Sequence, residues 1–176
     1  MLVEAWARLP SAQTRGMKLV VVGGAPYADE YIRTVMREGD PRVVFPGYVF
    51  GRGYWELQHH AYVFCAPTEV GGTHPVILEA LAAGNCVLVN DHPPNVETVG
   101  DAGLFYSGAD GVASLAEQLG HLLDNPAEVE EYRSRAIERS RRYSWDAVTD
   151  SYEDLLESVR AAHHPGRLPP ELVDAA

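Results

Sequence analysis

The 176-residue chain carries 25 acidic and 14 basic residues, a net charge of -11 with neutral histidines, and its pI is near 5.0. This acidic balance argues against a nucleic-acid surface and against docking on anionic lipid, because both need a basic face. The length suits one domain with a sizeable core. No apolar run approaches the roughly 20 residues of a membrane span. We also expect no secretory leader.

In chain order, apolar spacing and turn residues predict a helix at 2–9, a strand at 18–22, a helix at 26–37, a strand at 42–45, a helix at 54–59, a strand at 61–66, a helix at 75–83, a strand at 86–89, a helical turn at 95–99, a strand at 103–106, and helices near 110–124, 126–142 and 145–162. Short, solidly apolar strands that alternate with helices indicate an α/β fold with a doubly wound parallel sheet, its strands buried on both faces. We expect one domain over residues 1–162 and a flexible tail over 163–176. Because a helix opens the chain, we also expect an upstream element to be missing.

The loop between the third strand and the helix after it is the most informative segment, since parallel sheets bind ligands at the carboxyl ends of their strands. Pro75 suits the first helical position, His74 before it suits an N-cap, and Gly84 suits the position just past the helix. Gly71 and Gly72 let the loop backbone approach a ligand. Together with the partial positive charge of the helix N-terminus, these features predict an anion site suited to a diphosphate.

Glu79 is the only charged residue of this otherwise apolar helix. It lies about 6 Å along the helix axis from Pro75. Because helical side chains lean towards the N-terminus, its carboxylate can approach the ligand end. A carboxylate there suits two neighbouring hydroxyls, as on a ribose. Spacing alone leaves the alternative equally open, a glutamate that reaches solvent or caps its own helix.

The glycine-rich loop, the helix that begins Pro-Val-Ile-Leu-Glu and the strand after it together resemble the C-terminal domain of family 4 (group 1) glycosyltransferases. Residues 96–104 resemble the family's next loop and strand, residues 143–146 resemble its ending, and the likeness covers roughly 2–160. The resemblance implies a Rossmann-like sheet, the C-terminal half of a GT-B fold, and retaining transfer of a sugar from a nucleotide diphosphate sugar. The Gly-Gly-Thr-His-Pro form of the loop looks more like a subgroup that includes bacterial rhamnosyltransferases.

The same resemblance implies roles for individual residues. Glu79 matches the second glutamate of the family's Glu-x7-Glu motif, which holds the ribose hydroxyls, and the glycine-rich loop before it faces the sugar and diphosphate. Tyr48 and Val49 match a loop that packs against the base, and Gly23 and Gly24 match a strand end that lines the same cleft. The donor-binding residues implied in this way are Gly23, Gly24, Tyr48, Val49, Gly71, Gly72, Thr73, His74 and Glu79.

Departures from the family pattern bear on catalysis. Gly71, not a glutamate, stands eight residues before Glu79, so Glu69 is the catalytic candidate and either reaches the sugar or lies at the loop rim. His74 is either a sugar contact or a helix cap. The family's Arg and Lys that grip the diphosphate precede the first helix, where this chain begins, and its N-terminal acceptor domain is likewise expected to be absent. We therefore expect the isolated chain to bind the donor weakly and to be inactive.

Further expectations concern metals, thiols and charge. No Asp-x-Asp triplet occurs, so we expect a metal-independent enzyme without a cofactor, with the nucleotide diphosphate sugar as its substrate. Cys65 and Cys86 are expected to be buried reduced thiols, a disulfide or metal pair being the less expected reading. An arginine-rich stretch in the helix at 126–142 is expected to be a solvated face. Four histidines match no metal-site spacing and are expected on the surface or as caps: His59, His60, His74 and His92.

Two alternative functions stay open. One is a non-catalytic nucleotide-sugar-binding or scaffolding module, and the other is a GT-B-type nucleotide-sugar epimerase, which would need acid and base residues across the cleft. A partner domain that bears the Arg and Lys, in cis or in trans, would distinguish the enzyme from the scaffold. We expect a cytoplasmic protein without a nucleic-acid partner or transmembrane segment; for the full enzyme, peripheral attachment at the inner membrane face stays open.

Overall fold

The computed structural model describes residues 1–24, 28–37, 40–68 and 70–162. Its helices are α1 (Leu2–Arg8), α2 (Ser11–Thr14), α3 (Asp29–Arg37), α4 (Arg52–His60), α5 (Pro75–Ala82), α6 (Pro93–Val99), α7 (Val112–Asp124), α8 (Pro126–Ser140) and α9 (Trp145–Ala162). Its strands are β1 (Leu19–Val22), β2 (Val43–Gly47), β3 (Val63–Ala66), β4 (Cys86–Asn90) and β5 (Gly103–Tyr106), and a 3-10 turn at Gly100–Ala102 precedes β5. The element order predicted from the sequence is confirmed, with α2 as an element that the sequence analysis missed.

All strand pairs of the described chain are parallel, as predicted for an α/β fold. β1 pairs with β2, and β3, β4 and β5 pair in that order, so the described strands form two hydrogen-bonded sheets. Parallel neighbours need a crossover connection, and helices supply it here between successive strands. The carboxyl ends of the paired strands in each sheet therefore lie at one edge, where the loops with the candidate residues begin.

Strand β4 is buried on both faces, and this explains its uninterrupted apolar sequence. Cys86 and Leu88 belong to a core cluster with residues of α1 and α7, whereas Val87 and Val89 belong to a second cluster with residues of α5 and α6. Because successive side chains of a strand point to opposite faces, helices cover both sides of this sheet. The doubly wound arrangement predicted from the sequence holds for β3, β4 and β5.

Strand β1 differs from this prediction. Its side chains alternate between partial burial and exposure, with Val20 and Val22 at 40% and 42% relative exposure, and Val44 of β2 is exposed to 42%. The expectation that the strand at 18–22 is buried on both faces is therefore wrong. One face of the β1–β2 pair packs towards the core through Leu19 and Val43, and alternate residues leave the other face accessible.

The chain divides into two compact units, residues 1–140 and 141–176. The described part of the second unit contains α9, an 18-residue helix with Trp145, Tyr152 and Leu156 exposed. The domain boundary expected at 162 stays a prediction, and the tail expected at 163–176 lies outside the described residues. No helix in the described ranges has the length and apolar character needed to cross a membrane.

Both cysteines are free thiols, as predicted. Cys86 is fully buried in β4, and Cys65 is partly buried in β3. Burial raises the pKa of each thiol to about 12, so both stay protonated near neutral pH and are poor nucleophiles.

Arg42 and Asp40 form an ion pair that ties the start of β2 to the first helix. Arg42 donates to both carboxylate oxygens of Asp40 at 2.7 to 3.1 Å and to the Leu9 carbonyl at 2.7 Å, and its guanidinium lies 6.0 Å from the centroid of the Trp6 ring. The hydrogen bonds from Arg42 hold the pKa of the Asp40 carboxyl below its ordinary value of 3.8.

Asp40→Asn is expected to make the free energy of unfolding less dependent on pH in the acidic range. The depressed folded-state pKa means that the pair stabilises the fold above the unfolded-state pKa, and that this contribution is lost as pH falls through the folded-state pKa. The free energy of unfolding, measured by urea titration from about pH 6 to about pH 3, should therefore fall less steeply below about pH 4 in the variant. Equal slopes for variant and parent would contradict a contribution from this pair.

Candidate functional site

The loop between β3 and α5 has the helix-capping geometry that the sequence predicts. His74 is the N-cap residue, with φ -91° and ψ 116°, and Pro75 occupies the first turn of α5. The His74 side chain makes no capping hydrogen bond, so the prediction that it caps α5 holds for its backbone and not for its ring. Gly84, at φ +72°, follows the C-cap residue Ala83, as expected for the end of this helix.

In the turn before α5 the Gly71 backbone lies close to the His74 ring. A Cβ atom on Gly71 would lie 2.9 Å from His74 Cε1, and the Gly71 φ of +127° is one that L side chains rarely adopt. Gly72 and Thr73 are exposed, and nothing lies within 4 Å of a Cβ built on Gly72. The backbone of this turn is therefore accessible to a ligand, while a bulkier residue at 71 would collide with the imidazole.

The start of the loop is held by two buried asparagines that the sequence analysis did not single out. Asn90, the last residue of β4, donates to the Thr68 carbonyl at 2.5 Å, and Asn95 of α6 donates to the Asn90 side-chain oxygen at 2.5 Å. Asn90 and Asn95 are 3% and 2% exposed. The loops after β3 and β4 are thus joined to each other by side-chain amides.

Glu79 projects from α5 and is half-buried, whereas its neighbours Ile77, Ala80 and Leu81 are packed in the core. Its carboxylate Oε2 accepts a hydrogen bond from the hydroxyl of Tyr54 on α4. Its second oxygen accepts no hydrogen bond from any residue that the structure describes. The alternative of a glutamate that caps its own helix is therefore not realised, because the bond runs to another helix.

A chain of hydrogen bonds continues behind Tyr54. Gln58 Nε2 donates to the Tyr54 hydroxyl at 2.9 Å, and Asn85 Nδ2 donates to Gln58 Oε1 at 3.1 Å. Gln58 and Asn85 are 5% and 0% exposed. Burial, followed by the hydrogen bond to Glu79, raises the pKa of Tyr54, so the phenol keeps its proton and acts as the donor. These residues were missed because their contacts depend on how α4 packs on α5.

Gly24 and Tyr48 meet at the carboxyl ends of β1 and β2. The Tyr48 hydroxyl donates to the Gly24 carbonyl at 2.7 Å, and a Cβ on Gly24 would lie 3.2 Å from the Tyr48 ring. The Gly23 amide donates to the Gly47 carbonyl at 2.8 Å and so extends the ladder of the two strands. Val49 is half-buried beside Gly53. Four residues implied by resemblance are therefore gathered at one edge.

Tyr48 also stacks on Phe50, a residue that the sequence analysis missed. The ring centroids are 6.0 Å apart with an interplanar angle of 5°, and the two residues are 58% and 79% exposed. Helix α4 begins two residues later and carries Tyr54 to Glu79. One short segment thus connects an exposed aromatic pair with the carboxylate on α5.

The other predicted residues are a catalytic glutamate, several histidines and an arginine-rich helix face. Glu69, the catalytic candidate, lies outside the described residues, and its role stays a prediction. Within the described ranges, no group of three or more His, Cys, Asp or Glu residues could hold a metal ion. His59 and His60 are exposed and His92 is the N-cap of α6, as expected for surface or capping histidines. Arg139 departs from a purely solvated face, since it donates to the carbonyls of Glu97 and Thr98.

Comparison with known proteins gives consistent matches. A family model described as glycosyl transferases group 1 matches residues 1–125. A phosphatidyl-myo-inositol mannosyltransferase from Mycolicibacterium smegmatis is 34% identical over 105 residues, which are 58% of this chain and 27% of that protein. An exopolysaccharide phosphotransferase from Streptomyces coelicolor is 33% identical over 107 residues, which are 58% of this chain and 11% of that protein. The chain thus spans well under two thirds of either relative.

Solved structures share the fold. The Anabaena protein HepE, solved in complex with UDP and glucose, superposes with a TM-score of 0.78 at 18% identity, covering 89% of this chain and 44% of that one. Sucrose-phosphate synthase from Thermosynechococcus elongatus superposes with a TM-score of 0.75 at 24% identity, covering 92% of this chain and 42% of that one. The match in each case spans less than half of the larger protein.

Proposed function

Because the chain belongs to the group 1 glycosyltransferases and has an α/β fold like that of GT-B enzymes, we propose that it is the donor-binding domain of such an enzyme. Its ligand is a nucleotide diphosphate sugar. An acceptor-binding domain, in cis or in trans, completes the enzyme, and the sugar is transferred with retention of configuration. The comparisons favour this function over the scaffold and epimerase alternatives, since they match glycosyltransferases.

The observation that carries the proposal is the hydrogen bonding of the Glu79 carboxylate, which has a partner among the described residues on one oxygen only. A half-buried carboxylate on an otherwise apolar helix is costly unless it is hydrogen-bonded, and here one oxygen is held by Tyr54. The other oxygen has no partner within the described chain, so it is available to ligand hydroxyls. Two adjacent hydroxyls on a ribose are the group that a carboxylate in this position suits.

The neighbouring features fit the other parts of a nucleotide. The exposed aromatic rings of Tyr48 and Phe50 offer flat apolar surface to a base. The backbone amides of the turn at 71–74 and the N-terminus of the eight-residue helix α5 offer partial positive charge to a diphosphate. HepE was solved with UDP and with UDP-glucose, and this supports uridine nucleotides as the first ligands to test.

Catalysis in this proposal depends on stabilising the departing nucleoside diphosphate, on whose β-phosphate negative charge develops. Preorganised donors aimed at that charge lower the barrier, and the turn and the start of α5 supply some of them. Cationic side chains from the remainder of the enzyme supply the others, because charge-assisted bonds are roughly twice as strong as neutral ones. Glu69 is proposed to act at the sugar, and neither a metal nor a cofactor enters this scheme.

The proposed location is the cytoplasm. The two free thiols fit a reducing compartment, where cysteines stay unpaired. The acidic balance of the chain, 25 acidic to 14 basic residues, does not favour an anionic lipid surface, so membrane attachment would fall to other parts of the enzyme.

Titration of the 176-residue chain with UDP, ADP, GDP, CDP and dTDP tests the proposal. We expect at least one diphosphate to bind weakly, with a dissociation constant on the order of 0.1 to 1 mM, equivalent to about 4 to 5.5 kcal/mol. The measurement is a calorimetric titration supported by chemical-shift changes in the amide spectrum. The corresponding nucleosides should bind more weakly, because they lack the diphosphate. Silence from all five diphosphates would contradict the proposed function.

A further inference from the structure

Resting on the proposed function, we infer that Tyr54 is a positioning residue for the donor's ribose. It holds one oxygen of the Glu79 carboxylate and so leaves the other in a fixed orientation for the ribose hydroxyls. Tyr54 itself touches no reacting atom in this scheme. Its effect is transmitted through Glu79, and the preference for a ribonucleotide over a 2′-deoxyribonucleotide is the property that depends on it.

An unrestrained glutamate side chain samples many orientations. Glu79 has three rotatable side-chain bonds, and ordering such a side chain costs conformational entropy. A ligand that had to order the carboxylate would lose that entropy from its binding free energy. The hydrogen bond from Tyr54 removes this cost beforehand, because it fixes the carboxylate in the free protein.

Tyr54 is itself held in place by hydrogen bonds. Its hydroxyl accepts from Gln58, and Gln58 accepts from Asn85, at 2.9 and 3.1 Å. The backbone N–H of Asn85 donates to the Ala80 carbonyl at 3.0 Å, so the bonded chain begins at the end of α5 and returns to α5 at Glu79. Both amide side chains are buried. A closed loop of hydrogen bonds across two helices therefore leaves the phenol little freedom to swing away.

The Glu79 carboxylate has more acceptor sites than Tyr54 occupies. Ionised, each oxygen can accept about two hydrogen bonds. Tyr54 uses one of the sites on Oε2, and no other described residue donates to this carboxylate. The raised pKa of Tyr54 keeps the phenol a donor across the pH range in which proteins are handled. The sites that remain suit two adjacent hydroxyls, and a 2′-deoxyribose can fill only one of them.

Tyr54→Phe tests the inference, with UDP and 2′-deoxy-UDP as probes. The parent chain is expected to bind UDP more tightly than 2′-deoxy-UDP. The variant should bind UDP about five to ten times more weakly, because the ligand must then order the Glu79 side chain itself, while its affinity for 2′-deoxy-UDP changes less than twofold. The measured quantity is the dissociation constant of 2′-deoxy-UDP divided by that of UDP. Both constants are obtained by amide chemical-shift titration at one temperature, and the ratio is expected to be smaller in the variant than in the parent.

Tyr62→Phe is the matched control. Tyr62 also donates one hydrogen bond through its hydroxyl, to the Leu122 carbonyl at 3.2 Å, and is likewise partly buried. Tyr62 packs against the core cluster that contains Cys86 and Leu88, and its hydroxyl hydrogen bond runs to Leu122 and not to Glu79. Both dissociation constants should stay at the parent values in this variant. A loss of UDP binding in Tyr62→Phe would show that any removed phenol has the same effect, and would overturn the inference.

Gln58→Met is a second variant, for the case in which Tyr54→Phe folds poorly. This variant keeps the phenol but removes the donor that orients it. The ratio of the 2′-deoxy-UDP to the UDP dissociation constant should therefore also fall below the parent value, by about twofold to threefold. An unchanged ratio in a folded variant overturns the positioning role and leaves the proposed function intact. If the parent prefers another of the five diphosphates, that nucleotide and its 2′-deoxy form replace UDP as the probes. A parent chain that binds the two forms equally overturns the inference, and silence from all five diphosphates overturns the proposed function.

Discussion

Glu79→Gln is expected to weaken binding of the preferred nucleoside diphosphate by about ten- to hundredfold. Hydrogen bonds to a charged group contribute about 1.5 to 3 kcal/mol, and the substitution removes the charge while keeping the size of the side chain. The amide can still accept from Tyr54 with its oxygen, which turns its donor group towards the ligand hydroxyls. The carboxylate, not the bulk of residue 79, is thus the property under test.

The loss should appear in a calorimetric titration of the folded variant and should be smaller for the 2′-deoxynucleotide. Glu117→Gln is the matched control, because Glu117 is an exposed glutamate on α7 and its replacement removes the same charge. We expect it to leave affinity unchanged within about twofold, as surface substitutions away from a site usually do. Equal affinities of Glu79→Gln and the parent would contradict a role for this carboxylate in binding the donor.

Gly103→Ala is expected to destabilise the first compact unit by about 3 kcal/mol or more. A Cβ on Gly103 would lie 2.5 Å from the Val87 carbonyl oxygen and 2.6 Å from Val99 Cγ1. Val87 belongs to the central strand β4 and Val99 ends α6, and both are fully buried, so neither can move without disturbing the core. Inserting a methyl group into such packing costs about 1 to 3 kcal/mol and occasionally more.

The measurement is urea denaturation followed by circular dichroism, with the midpoint as the primary result. Gly72→Ala is the matched control, since nothing lies within 4 Å of its Cβ position and its φ is not in the left-handed region. Its free energy of unfolding should stay within about 0.5 kcal/mol of the parent value. A Gly103→Ala chain as stable as Gly72→Ala would show that the start of β5 packs less tightly than the structure indicates.

Much of the fold follows from local sequence signals. Pro75 and Gly84 mark the two ends of α5 by their backbone preferences, and the structure places the helix between them. The uninterrupted apolar run at 86–89 predicts a strand covered on both faces, and β4 is such a strand. The same rule is wrong for the run at 18–22, because an apolar sequence cannot reveal whether a second layer covers the strand.

The contacts that position the candidate site are less accessible to sequence reasoning. Glu79 is conspicuous as a lone charge, but its partner Tyr54 lies 25 positions earlier on another helix. Nothing in the spacing of Tyr54 and Gln58, one helical turn apart, distinguishes a buried network from an ordinary helix face. The sequence around Phe50 and Tyr48 does not predict that their rings stack either, because the stacking depends on the path of the chain after β2.

The joined asparagines Asn90 and Asn95 have a consequence for how the turn before α5 adapts to a ligand. They hold the backbone at Thr68 against the loop after β4, so the start of the segment is already ordered in the free protein. A ligand that binds this turn therefore does not have to order its first residue. Each backbone residue already ordered in the free protein spares roughly 1 to 2 kcal/mol of conformational entropy that binding of a diphosphate would otherwise cost.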